Sequence, residues 1–171
     1  MNGEDMIKKA YEAILHHDFE QAIGWFEQAI LLEPDHPGYH YKLSISYARS
    51  DRINQALQHA RQAVELDSSH PEYHQHLQHV KARALVADAE ELLSQSAEHA
   101  TEAIRLLNEA IDADPLCSKA YLWKGAVYAA MQQYEMARQQ YEEAVRMDPS
   151  SKKALEMIKH IQRELEKESN E

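Results

Sequence analysis

Four histidines, His70, His74, His76 and His79, fall within ten residues of one another. On a helix their i,i+4 and i,i+3 spacings bring imidazoles to one face, the arrangement that could ligate a zinc or nickel ion. The same pair occurs 34 residues earlier as His36/His40, so repetition of a structural unit already accounts for His70/His74. Only Glu72 among nearby carboxylates, and no cysteine, helps to complete a shell. The expectation is therefore no metal and no cofactor, with a histidine-based metal module as the alternative. Cys117, the single cysteine, allows no internal disulfide and is compatible with a reducing compartment. Beside Pro115 it reads as incidental rather than nucleophilic. Four glycines supply no phosphate-cradling loop, and neither G-x-S-x-G nor H-E-x-x-H occurs. The residues predict a protein that is not an enzyme.

The elements that carry these side chains are helical hairpins. In Ala120–Pro149, Tyr121, Leu122, Gly125 and Tyr128 recur at helical spacing, and Ala137, Tyr141 and Ala144 do so on a second segment. Met131 to Tyr134 makes the turn, and Asp148-Pro149 stops the second helix, which proline cannot continue. Alanines seven residues apart leave a shallow strip for a close neighbour. That pair repeats as Ala22/Ala29, Ala56/Ala63, Ala103/Ala110 and Ala137/Ala144, at intervals of 34, 47 and 34 residues. Proline recurs as Pro34, Pro115 and Pro149, and all five prolines are expected in turns between units.

This pattern resembles the tetratricopeptide (TPR) repeat, a 34-residue helix-turn-helix unit. Gly125, Tyr128, Ala137, Tyr141 and Pro149 match its signature; Tyr121 and Lys124 depart from it. The resemblance implies an all-α solenoid, a right-handed superhelix of about four hairpins forming a single domain. The repeats would cover residues 3–36, 37–70, 71–117 and 118–149, the third expanded by 13, with a capping helix at 150–168.

In chain order, helices are expected at about 5–17, 19–32, 39–48 and 53–66. From Pro71 to Asp114 there is no Gly or Pro, and two apolar stripes run out of phase. Thirteen residues at about 100° each leave roughly 220° beyond whole turns, so the added turns cannot keep one face inward. One long helix over 71–94, projecting past its neighbours, is the preferred reading; a break near Ala87, capped by Asp88 and Glu91, is the alternative. Ala60 stands where the first repeat has Phe26, predicting a thinner core in the second. Helix six should span 97–113. Ala154, Leu155, Ile158, Ile161 and Leu165 predict a final amphipathic helix, with Ser169 to Glu171 frayed.

In TPR proteins the first helix of each unit lines a concave groove that holds a peptide. Carried over, the groove positions are Ile7, Lys8, Tyr11 and Leu15, then Tyr41, Lys42, Ile45 and Arg49. The third and fourth units give His76, His79 and Arg83, then Lys119, Leu122, Trp123 and Ala126. The resemblance thus implies a protein-binding scaffold or adaptor whose partner is a protein or peptide, acidic or with a free C-terminal carboxylate, since Lys and Arg pair with carboxylates and aromatics bury area. The Lys/Asn/Arg clamp for chaperone tails is missing: Ile7, Tyr11, Lys42, Glu72 and His76 occupy its positions. Self-assembly through the long helix 71–94 is a further alternative.

Net charge is −11, from 18 Lys+Arg and 29 Asp+Glu. That argues against nucleic acid and anionic membranes, which require a positive surface. Residues 1–5 lack a leader pattern and no apolar run reaches membrane-spanning length, so the expectation is a cytoplasmic protein.

Overall fold

A computed structural model describes residues 2–169. Met1, Asn170 and Glu171 lie outside the described residues, and with them the start of the 1–5 segment and the end of the expected fray. The fold is an all-α helical repeat. Its helices are α1 (Gly3–Leu15), α2 (Phe19–Leu32), α3 (Pro37–Arg49), α4 (Ile53–Leu66), α5 (Pro71–Gln95), α6 (Ala100–Ala113), α7 (Ser118–Ala130), α8 (Tyr134–Met147) and α9 (Lys152–Glu168), with a 3-10 turn at Ala97–His99 before α6. No helix among the described residues is long and apolar enough to cross a membrane.

Local chemistry sets the boundaries. α1 begins two residues earlier than expected because Asn2 and Asp5 form a reciprocal capping box. It ends earlier because His17 takes a left-handed φ of 60°. His17 N–H then reaches Ile14 O at 2.9 Å and Asp18 N–H reaches Ala13 O at 2.9 Å, closing a Schellman turn. Asp51 (φ 57°) and Gln132 (φ 59°) hold the same place in their hairpins. Pro37 stands at the N-terminus of α3, and Pro71 is the first residue of α5. There a missing N–H costs nothing, so two of the five prolines start helices rather than lying between them. Asp67, Asp114 and Asp148 each accept backbone N–H bonds from two residues ahead, shaping the turns after α4, α6 and α8. Ser151 caps α9, and Ser169 closes it through its N–H to Leu165 O.

The chain divides into two units, the first ending at Ala84 and the second beginning at Leu85. In the first, Phe26, Leu43, Tyr47 and Val80 pack with alanines of α1, α2 and α4. In the second, Tyr141, Ala137 and Ile161 form a core against which Leu122, Tyr128 and Ile158 pack. All eight alanines of the recurring pairs are buried, at 1% exposure or less. They are the seam through which the helices meet.

α5 is continuous through Ala87, in line with the single-helix reading. In its added turns one face is packed: Val86 and Ala89 are buried, at 1% and 0% exposure. Glu90 pairs with Lys119 at 2.7 Å. The second repeat is also not simply thin at Ala60; a polar network lies close by.

Candidate functional site

The histidines of the repeated His-Pro-x-Tyr-His stretch work within the fold. His36 stacks on Tyr39 at 3.8 Å between centroids, and His70 stacks on Tyr73 at 4.3 Å. The second histidine of each copy reaches back to the carbonyl ending the preceding unit: His40 Nε2 lies 2.8 Å from Pro34 O and His74 Nε2 2.9 Å from Ser68 O. A carbonyl only accepts, so both Nε2 atoms donate. His70, His74 and His76 are thus committed to three separate places. Among the described residues no three His, Cys, Asp or Glu side chains are gathered closely enough to hold a metal ion.

The polar network joins α2, α3, α4 and α5. His40 Nδ1 lies 2.9 Å from His59 Nδ1. Tyr47, stacked on His59 at 5.6 Å, donates its hydroxyl to Glu27. Burial, with Glu27 second, pushes the Tyr47 phenol up to about 12. Buried Ser44 donates to Ala56 O at 2.6 Å and receives His76 Nε2 at 2.8 Å. Burial, with His79 and Arg83 as like charges, holds His76 down to about 4. Sequence reading missed Ser44 and His59; for Ser44 the available signal was a hydroxyl at the register that Gly125 holds in the repeat signature.

The groove positions sort into distinct groups. In the first unit, Lys8 is exposed and Tyr11 is 45% exposed, its ring edge-on to Phe26 at 6.2 Å. Tyr41, half-buried with Lys42 and Ile45, lies against Tyr73 at 4.9 Å and His76 at 5.3 Å. Arg49 is exposed, 5.7 Å from the Phe19 ring. Arg83 serves the fold: it donates to Ala48 O at 3.0 Å and pairs with Asp51 at 3.2 Å, holding the end of α3. His76 is likewise turned to Ser44, while His79 is exposed.

In the second unit, Lys119 is tied to Glu90, and Leu122 packs on the Tyr141 core. Trp123 lines an open cleft of about 380 Å³ with Leu93, Ala97, Ala100, Ala126, Val127, Ala130 and Met131. Its walls carry no ionisable side chain, and Met131 is 43% exposed at its edge. The Lys153 ammonium stands 5.6 Å from the Trp123 ring. Ala97 and Leu93 come from the expanded third repeat, so the insertion supplies one wall of the cleft. Cys117 has its thiol pushed up, mainly by burial, which keeps it in the unreactive protonated form.

A tetratricopeptide-repeat family model matches residues 7–71 and 92–152. The chain belongs to the TPR family. The unmatched residues between the two segments all lie in α5. Solved structures share the fold. A crystal structure of MamA is 20% identical, covering 93% of this chain and 80% of that one, with a TM-score of 0.52. MamA 41-end from Desulfovibrio magneticus RS-1 is 16% identical, covering 96% and 85%, with a TM-score of 0.55. The TPR domain of P58(IPK) is 21% identical, covering 99% and 57%, with a TM-score of 0.51. No curated protein matches the chain in sequence. The TPR fold is in general a protein–protein interaction module, and its members are typically scaffolds rather than enzymes.

Proposed function

We propose that this TPR chain is a non-enzymatic scaffold that binds partner polypeptides on the faces of its odd-numbered helices, each unit with its own surface. The observation that carries the reading is the open apolar cleft beside Trp123, whose lining lies outside the Tyr141 core and includes the exposed Ala97, Ala130 and Met131. Such clefts take the apolar anchors that dominate interface energies. In the first unit Lys8, Lys42 and Arg49, with Tyr11, Tyr41 and Ile45 between them, favour a partner with carboxylates interspersed among apolar side chains. Because the helices are ordered before binding, little ordering cost falls on this side of the interface.

The test is selection from a displayed peptide library, followed by affinity measurement. Enrichment of sequences with bulky apolar and acidic residues is expected. Ala126→Trp, which fills the cleft, and the double reversal Lys42→Glu/Arg49→Glu should each weaken selected peptides at least about tenfold, the loss of one modest contact at 1.4 kcal/mol. Arg83 stays untouched, because reversing it would unpin α3. Peptides that bind both variants unchanged would refute the reading.

A further inference from the structure

Nine of the eleven histidines precede Ala84, and the second unit holds only His99 and His160. Two of the nine share a bond that counts protons, and a third is packed beside them. His40 Nε2 must donate to Pro34 O, so in the neutral ring Nδ1 is an acceptor and His59 Nδ1 supplies the single hydrogen between them. One added proton can go to the far nitrogen of His59. A second, on His40 Nδ1, would place two hydrogens between nitrogens 2.9 Å apart and break the bond. His76 differs: Ser44 spends its hydroxyl hydrogen on Ala56 O, so Nε2–H donates to Ser44, and an added proton would have to go to Nδ1, leaving that bond intact but placing the charge on a half-buried ring.

We propose that the His40–His59 pair, with the half-buried His76 ring beside it, is an acid-operated clasp, which opens the α3–α4 hairpin and its junction with α5 at mildly acidic pH while the second unit stays folded. The surroundings give the charged rings little relief. From α2, Glu27, which accepts the Tyr47 hydroxyl, favours a charge on His59, but burial and His40 oppose it more strongly. Arg52, at the start of α4, lies over Tyr47 at 4.6 Å and pairs with Glu20 of α2. On α5, His79 and Arg83 act on His76 as like charges, and the edge of Tyr41 on α3 closes its other side.

The sign follows directly. Burial lowers His59 and His76 below the ordinary histidine value, so the folded state binds fewer protons than the unfolded one. Their stabilisation is complete above about pH 6.5 and is lost as pH falls from there toward 4. Regulation by this clasp is independent of what the helix faces bind.

Hydrogen exchange read by mass spectrometry, corrected for the intrinsic exchange rate at each pH, tests it on the full chain. Between pH 7.5 and 5.0, amides of α3 and α4 should lose protection at least about tenfold, the effect of one pKa unit, while those of α7 and α8 change by less than about twofold. His59→Asn/His76→Gln keeps a donor amide near each lost N–H and removes the titration; it should abolish the pH response. Equal loosening of both units, unchanged protection of α3 and α4, or a variant that responds like wild type would overturn the proposal. Should the double variant not fold at pH 7.5, the unit-by-unit comparison in the wild-type chain decides alone.

Discussion

A methyl group on Gly125 would lie 2.6 Å from Cε1 and 2.7 Å from Cδ1 of Tyr141, a ring that is 2% exposed and cannot swing away. The glycine is needed there for close approach, not for an unusual backbone angle. Gly125→Ala should therefore cost about 1–3 kcal/mol through overpacking, and Tyr141→Leu in the same chain should recover part of it. Denaturant unfolding of the two variants checks this. Ser44 occupies the same register in the second repeat, opposite Ala60, and uses the space for a hydroxyl whose partners come from α4 and α5. The register that demands a small residue was evident from the signature. That one copy would fill it with a polar bond was not, because its partner His76 lies 32 residues away.

At the level of the hairpin, three turns are closed by non-glycine residues in left-handed conformation: His17, Asp51 and Gln132. Side chains other than Asn and Asp pay roughly 1 kcal/mol for this. His17→Gly and Gln132→Gly should each raise the unfolding free energy by up to about 1 kcal/mol, offset in part by glycine's greater freedom in the unfolded chain. Asp51→Gly should gain less, since aspartate tolerates the conformation and the Arg83 pair would be lost. Glu98 is the corresponding residue of the third hairpin, but it lies in a 3-10 turn capped by Ser96. Glu98→Gly should destabilise, and thermal melts of the four variants would separate the two kinds of turn. Nothing local announced these left-handed residues; only their 34-residue spacing links His17 to Asp51.

For the molecule as a whole, the alanine intervals and the proline stops made the repeat fold readable, since both follow from steric rules that act over a few residues. The candidate surface was less so. Helix period gives the face on which Lys42, Arg49 and Trp123 lie, but not which cations are already engaged. Arg83 and Lys119 meet their partners only through tertiary packing, and the wall supplied by Leu93 and Ala97 required the course of α5 to be known.

The small-residue register has a consequence for engineering. Ala10 goes with Phe26, Ser44 with Ala60 and His76, and Gly125 with Tyr141, so hairpins alike in outline carry different mating surfaces. A chimera with residues 37–68 transplanted into the place of 118–149 would bring a serine whose imidazole is left behind. These modules cannot be shuffled or duplicated at will: their sequence of succession is itself encoded, one interface at a time.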